Sequence, residues 1–342
     1  MTVPTPAIPK GSWVLITGVN GHVASELASQ FLERGYRVRG TVRDLAKSSW
    51  LVDDVFKTFA AIGDFELIRV PDIVQDGAFD AAVKGVSAVA HVAAFGFGDD
   101  PNKVIPPTIA SMRSILKSAA AEPSVKRFVY TSSVVAAAYF SMDTTDHVTH
   151  DSWNDKAVAE AWSPPPHKET FEFAVYMAGK VAGEKELWRF VTEEKPQFVA
   201  NAVNPQTILG RRLSKNCSSV SAAMIPNLYN GIYPPPLISP CVYGIDVKEV
   251  ALMHVAAVLD LDVKSARIHV WGRLYTWNQV LAAMRKLFPK HTFVDDISSG
   301  ETLKMTVDQT LALSLLKKWG GQDDWRKLED VILDNLKGTA EE

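Results

Sequence analysis

Short apolar runs alternate with longer amphipathic stretches from Trp13 to Asn204. The runs at 13–17, 36–42, 66–70, 87–92, 126–131 and 197–203 are too short for helices and carry β-branched or aromatic residues, which predicts strands. Helical patterns lie between them, notably over 104–122 and 169–195. Strict alternation of strand and helix predicts a doubly wound α/β fold, a parallel sheet with helices on both faces. Residues 141–166, closing on Pro164-Pro165-Pro166, read as a loop, and Tyr233-Pro234-Pro235-Pro236 is a second cluster of breakers. Both proline runs read as stiff loops rather than as extended ligands for a partner. Beyond them, a helix is expected over 247–259, a seventh strand over 267–271, and a helix over 277–288. The last has apolar residues at Trp277, Val280, Leu281, Met284, Leu287 and Phe288, an amphipathic stripe.

Composition narrows the class. The chain has 342 residues, enough for one large α/β domain or for a domain plus a lobe. Hydrophobic residues make up 47% and charged residues 22%, which suits a globular protein with a sizeable core. The net charge of −3 gives no reason to expect nucleic acid or an anionic membrane as partner. No apolar run reaches the ~18 residues of a membrane-spanning helix. Met1 to Lys10 hold three prolines and no apolar stretch, so no signal peptide is expected. Cys217 and Cys241 read as two thiols in a reducing, cytoplasmic setting rather than as a disulfide. Asp143, Asp146, His147, His150 and Asp151 resemble a zinc-ligand cluster, but no helix aligns the two histidines. They read as a solvated loop, and no metal is expected. Trp319 and Trp325 are expected in core or lobe packing.

The first strand runs straight into Gly18-Val19-Asn20-Gly21-His22-Val23-Ala24, and a helical pattern follows to Arg34, closed by Gly35. In a strand–turn–helix unit, glycines let the backbone approach a pyrophosphate, and the helix N-terminus supplies unpaired N–H groups. The competing reading is two glycines that only make a turn. The second strand bears on the choice of nucleotide. NAD enzymes usually carry an acid at its end, and NADP enzymes carry an arginine. Val42 occupies that slot here, with Arg43 and Lys47 just beyond, which favours NADPH. Asp44 is the dissenting residue, readable as the acid displaced, and a solvated helix start is the bland alternative. Val92-Ala93-Ala94 ends the fourth strand beside the first, where small residues leave room for a cofactor.

Tyr176 and Lys180 lie four apart in a helical run, hence on one helix face. A phenol titrates at about 10, and a neighbouring ammonium is expected to lower that value toward neutrality. The strand Arg127-Phe128-Val129-Tyr130 ends in Thr131-Ser132-Ser133, where open α/β sheets bind ligands. A serine there bonds a substrate carbonyl, or merely caps a turn.

Taken together, Thr17-Gly-x-x-Gly21-x-x-Ala24, Asp72 after the third strand, Val92-Ala93-Ala94, Thr131-Ser132-Ser133 and Tyr176-x-x-x-Lys180 resemble the extended short-chain dehydrogenase/reductase family. Within it, the chain is most similar to dihydroflavonol 4-reductase-like enzymes and the fungal aldehyde and ketone reductases. The resemblance implies a Rossmann-type dinucleotide-binding domain over 10–204 and 246–272, and a smaller C-terminal substrate-binding lobe over 205–245 and 273–342. It implies Ser133 rather than Ser132 as catalytic serine, Tyr176 as proton donor, and Lys180 on the nicotinamide ribose. The cofactor would lie on Thr17, Gly18, Asn20, Gly21, His22, Val23, Arg43, Lys47, Asp72, Ile73, Val92, Ala93, Ala94, Tyr176, Lys180, Pro205, Thr207 and Ile208. Phe95, Phe97, Val134, Trp162, Met224, Ile225 and Tyr229 would line a pocket for a hydrophobic carbonyl compound, in a monomer or homodimer. Two departures matter. The helix asparagine with which many relatives complete a proton relay is replaced by Thr108, and Phe173-Ala174-Val175 before Tyr176 argues against a CoA thioester. An NADPH-dependent carbonyl reductase is the leading expectation. A non-catalytic dinucleotide sensor and a sugar-nucleotide epimerase or dehydratase are the alternatives. The second would need more basic residues than Arg211, Arg212 and Lys215 supply between 205 and 245.

Overall fold

The computed structural model describes residues 5–167, 169–217, 219–233, 241–297 and 301–337. Pro234, Pro235 and Pro236 lie outside the described residues. The seven expected strands are β1 (Trp13–Ile16), β2 (Arg37–Val42), β3 (Phe65–Arg69), β4 (Ala88–His91), β5 (Arg127–Thr131), β6 (Val199–Pro205) and β7 (Arg267–Val270). They form one sheet in the order β7-β6-β5-β4-β1-β2-β3, with every pair parallel. This is a Rossmann-type sheet. The order reverses between β1 and β4, which opens a crevice at their C-terminal ends.

Alternation along β1 sends Val14 and Ile16 to one face and Leu15 to the other. The first face is covered by α1 (His22–Glu33), through Ala24, Leu27, Ala28 and Phe31, and by α4 (Val247–Leu259). The second is covered by α2 (Pro101–Ala121), through Met112, Ile115 and Leu116, and by α3 (Phe171–Glu194), through Leu187 and Phe190. Fully burying such a side chain contributes about 1.5–3 kcal/mol. The C-terminal carbonyls of α4 are met by the buried Arg127 of β5, whose guanidinium donates to the carbonyls of Ala257, Val258, Asp260 and Val263 at 2.6–3.0 Å. A cation is favoured at that end of a helix.

α2 starts earlier than its apolar pattern predicts. Asp100 caps it, accepting from the Asn102 N–H at 2.9 Å, and Pro101 follows in the first turn. Pro106 and Pro107 are tolerated because the carbonyls they leave without donors, four residues back, belong to the exposed Asn102 and Lys103.

The expected loop 141–166 is partly ordered. His147–Val148 pairs in parallel with Thr306–Val307, and Asp155–Ala161 is a helix. Asn154 explains that helix: its side chain accepts from the Ala157 N–H at 3.1 Å and donates to the carbonyls of Val135 and Ala138. Of the metal-like cluster, His147 bonds Thr306 at 2.8 Å, and His150 meets Asp151 at 3.2 Å on the surface.

A second sheet joins Thr207–Leu209, Cys241–Asp246 and Arg273–Thr276 with Cys241–Asp246 in the middle. Around it stand α5 (Trp277–Leu287) and α6 (Leu328–Leu336). A reciprocal cap between Thr276 and Gln279 opens α5. Ile225, Leu228, Trp277, Leu281, Met284 and Ile332 form the core here. Some of the described residues after Arg273 pack elsewhere. Ala312, Leu315, Leu316 and Trp325 are buried in the main cluster with α4, and the Trp319 indole donates to Asp260 at 2.8 Å. Among the described residues, no helix is long and apolar enough to cross a membrane.

Candidate active site

Thr17, directly after β1, ties the two sides of the crevice together. Its hydroxyl oxygen accepts from the N–H groups of Val92 and Ala93, both at 3.0 Å. Its one proton is then left for Nδ1 of His91, also at 3.0 Å, which places the imidazole proton on Nε2. Burial, and then the Lys180 charge, push the His91 pKa down to about 3, so the ring stays neutral.

Gly18 turns left-handed at φ 64°, and a Cβ there would lie 3.2 Å from the Ala93 Cβ. The Gly21 N–H closes the turn on the Gly18 carbonyl at 2.9 Å. α1 then begins with no side-chain cap, leaving its first N–H groups at the crevice. Asn20 is exposed there and Val23 half-buried. The His22 imidazole points elsewhere: it is buried, and its Nε2 bonds the Arg211 carbonyl at 2.8 Å. Only the His22 backbone remains available to an anion. The turn also depends on Gly40 of β2, which the sequence pattern does not single out. A Cβ at Gly40 would meet Val19 Cγ1 at 2.3 Å.

At the end of β2, Val42 is buried while Arg43 and Lys47 are exposed. Asp44 is occupied locally, its carboxylate accepting from the Lys47 N–H at 3.1 Å. Asp72 and Ile73 are half-buried beyond β3, and Asp72 accepts from the Val74 N–H at 3.0 Å. Pro205 ends β6, and Thr207 and Ile208 open the second sheet.

The three hydroxyls closing β5 have different partners. Thr131 bonds Nε2 of His254 at 2.7 Å. Ser132 is buried and donates to Glu184 at 2.6 Å. Ser133 accepts weakly from the Val135 N–H at 3.4 Å, and its hydroxyl lies near enough to Tyr176 to act on that phenol. Lys180, one turn beyond Tyr176 on α3, is buried and donates to the Thr131 carbonyl at 3.2 Å.

The expected lowering of the tyrosine does not appear. Burial raises the Tyr176 pKa, and the Ser133 hydroxyl only partly opposes that. The reason is geometric: the Lys180 ammonium is turned to the Thr131 carbonyl. Burial also lowers Lys180 to about 8, with Glu184 pulling the other way. Thr108, at the relay position, donates back to the Val104 carbonyl at 2.7 Å.

Behind Tyr176 and Lys180 lies a cavity of about 20 Å3, bounded by His91, Phe95, Thr108, Ser111 and Tyr130. It has room for about one water molecule. The exposed Phe97 lies against Tyr176 with centroids 4.6 Å apart and the rings tilted by 30°, and Phe173 stacks on Tyr176 at 6.1 Å. Trp162 is half exposed in a neighbouring open groove. The remaining expected pocket residues fall differently. Val134 is buried in packing, Ile225 is a core residue of the second body, and the Tyr229 ring packs on Phe288, His291 and Phe293. Apolar character alone does not distinguish lining from core. Met224 is half-buried beside them.

A sequence model of the NAD dependent epimerase/dehydratase family matches residues 14–259. The chain belongs to that family. It is 36% identical to an NAD-dependent epimerase/dehydratase of Aspergillus terreus over 340 residues, 98% of this chain and 99% of the relative. It is 34% identical to aldehyde reductase 2 of Sporidiobolus salmonicolor over 337 residues, 97% of each chain. Among solved structures, the yeast methylglyoxal/isovaleraldehyde reductase complexed with NADPH superposes with a TM-score of 0.79 at 25% identity. That alignment covers 95% of this chain and 97% of the other.

In this family member, the sequence reading missed the support behind the triad. Glu184 is fully buried, four residues after Lys180, and pairs with Arg267 of β7 at 2.6 Å. Asn204 and His254 complete the layer. The spacing of four that links Tyr176 to Lys180 runs on to Glu184, and that was the available signal.

Proposed function

We propose that the protein is an NADPH-dependent carbonyl reductase acting on hydrophobic or aromatic ketones and aldehydes. The observation that carries this reading is the placement of Ser133, just past the C-terminal end of β5, beside Tyr176, with Lys180 one turn on along α3. The dinucleotide fits the residues present. Gly18 leaves a cradle that a side chain would fill, and the uncapped start of α1 offers N–H groups to a pyrophosphate. Arg43 and Lys47 are exposed and suit a 2′-phosphate, while Asp44 is engaged in its own turn. The yeast neighbour was solved with NADPH, and the Sporidiobolus relative is named an aldehyde reductase.

When bound, NADPH supplies the hydride that reaches the carbonyl carbon. Ser133 donates a hydrogen bond to the carbonyl oxygen, and Tyr176 delivers a proton to it as negative charge develops. A tyrosine raised by burial stays protonated near neutral pH, which is the state a proton donor needs. Lys180 supports the developing charge while it remains an ammonium. Phe97 and Trp162 give the mouth an aromatic surface. The epimerase reading is weaker because Arg211 is spent on Glu26, at 2.9 and 3.2 Å, leaving less charge for a diphosphate.

The test is NADPH consumption with a panel of aryl ketones and aldehydes, in the wild type and in Tyr176→Phe. The variant keeps its ring packing and loses only the proton, so turnover falls by about two to four orders of magnitude with NADPH affinity nearly intact. A variant keeping more than about half the rate removes Tyr176 from this role. A wild type that binds NADPH yet turns over no carbonyl in the panel favours the sensor alternative.

A further inference from the structure

Glu184 has no access to solvent, yet its carboxylate accepts from side chains of four elements or turns. Ser132 donates at 2.6 Å, Asn204 at 2.8 Å, the Arg267 Nε at 2.6 Å and the Trp188 indole at 3.3 Å. Asn204 also donates to the Ser133 carbonyl at 3.2 Å. Arg267 is itself buried. It stacks on Trp153 at 3.9 Å and donates to the carbonyls of His150 and Ser152. A buried ion pair is a poor device for stability alone, because desolvation offsets much of its attraction. Its position suggests another use: it sits directly behind the end of β5 and one helical turn from Lys180.

We propose that the Glu184–Arg267 pair positions and polarises the triad: Glu184 holds Ser132 so that Ser133 faces Tyr176, and its charge, tempered by Arg267, maintains Lys180 as an ammonium. This rests on the reductase reading above. With its hydroxyl bound to Glu184, Ser132 is committed away from the site, and with the Ser133 carbonyl held by Asn204 only the Ser133 hydroxyl is left to face it.

The surroundings of Lys180 leave Glu184 as its negative neighbour among the described residues. On α3 the other titratable group beside Lys180 is Tyr176, one turn back. From β5 comes the Tyr130 ring, 5.7 Å from the Lys180 Nζ, and burial keeps that phenol protonated. From β4 comes His91, held neutral by burial. α2 contributes the uncharged Thr108 and Ser111. His254 of α4 bonds the Thr131 hydroxyl and the Val250 carbonyl and is also neutral. Burial pulls Lys180 down to about 8, and Glu184 opposes that fall. Arg267 must act in the opposite sense, since it offsets the Glu184 charge.

The test is the pH–rate profile of two variants whose effects have opposite signs. Glu184→Gln keeps the shape and an acceptor but removes the charge, so the alkaline limb moves toward acid by about one pH unit or more. Arg267→Gln leaves the Glu184 charge untempered, so the limb moves toward alkaline pH. Damage to packing alone shifts both variants the same way or neither, and either result overturns the proposal. Ser132→Ala removes one hydrogen bond and no charge. It lowers kcat and leaves the limb in place; a moved limb counts against the division of roles. Should Glu184→Gln fail to fold, the Arg267→Gln and Ser132→Ala arms still decide. The Lys180 titration followed by NMR with 13C-labelled lysine needs no turnover, so it separates a failure of this proposal from a failure of the reductase reading. An unchanged Lys180 titration in Glu184→Gln overturns the electrostatic role.

Discussion

Thr131, Ser132 and Ser133 are chemically similar neighbours whose roles diverge through their partners. Thr131 is taken by His254, Ser132 by Glu184, and Ser133 is the one left to Tyr176. Which hydroxyl faces the crevice is therefore decided by residues 50 or more positions away, not by the motif itself. The end of β2 poses the same kind of question for the nucleotide. Asp44 caps its own turn through the Lys47 N–H, whereas the Arg43 side chain is exposed. A 2′-phosphate carries close to two negative charges near neutral pH, as other phosphate monoesters do. A charge-assisted contact to it is worth about 1.5–3 kcal/mol, so Arg43→Ala should raise the Michaelis constant for NADPH about 10–150-fold. NADH has no such phosphate, and its constant should hardly move. Steady-state kinetics with both cofactors at low salt checks this. An equal loss for the two would make Arg43 a structural residue and return Asp44 as the reader of the ribose.

At the scale of elements, the glycine-rich turn is held by its neighbours as much as by its own glycines. Val19 is fully buried against Gly40 of β2, where an added Cβ would stand 2.3 Å from Val19 Cγ1 and 2.7 Å from Val19 Cβ. Val19 cannot yield without moving the turn. Gly40→Ala should therefore cost about 1–3 kcal/mol in a denaturant titration, and weaken NADPH binding as well. Gly35→Ala is the control. Gly35 is left-handed at φ 80° with open space around it, so its cost is backbone strain of about 1–2 kcal/mol, without effect on the crevice. Normal NADPH affinity in Gly40→Ala would refute the coupling. These contrasts also mark how far the chain could be read unaided. The central strands β1, β4 and β5 were legible because both faces of the sheet are covered there, which makes their runs largely apolar. Tyr176, Lys180 and the Gly18–Gly21 turn were legible because their spacing is local. The second sheet was not, since Thr207–Leu209 is three residues long and joins partners far along the chain. The helix Asp155–Ala161 was hidden in a polar stretch, although Asn154 is a good cap. Arg267 and Glu184 meet across 83 positions, and no local pattern announces such a pair.

Over the whole molecule, buried histidines join separate parts of the fold. His22 links α1 to the Arg211 carbonyl, His91 links β4 to β1 through Thr17, His254 links α4 to β5, and His269 links β7 to the Thr149 carbonyl. Burial lowers the pKa of all four, His91 to about 3 and His254 to about 4. Between those values and the ordinary value near 6.5, the unfolded chain binds protons that the native protein refuses. Stability from these groups is fully present above about pH 6.5 and is lost as pH falls toward 4. His91 and His254 should each account for on the order of 2 kcal/mol between pH 7 and pH 5. Two carboxyls act in the other direction. Burial raises Glu249 to about 7, so its contribution is present in acid and is lost as pH rises through neutrality, and burial raises Asp246 in the same direction. Glu249 cancels roughly one histidine over that interval. Set against Glu249 alone, His91 and His254 leave the protein less stable at pH 5 than at pH 7, by on the order of 2 kcal/mol. Denaturant titrations at the two pH values measure the difference directly. In His254→Gln, where the side-chain oxygen can still accept from Thr131 but takes up no proton, the drop between pH 7 and pH 5 should shrink. Equal or greater stability of the wild type at pH 5 would mean that Glu249 and Asp246 outweigh the histidines, and that the imidazoles are not what makes the fold acid-sensitive.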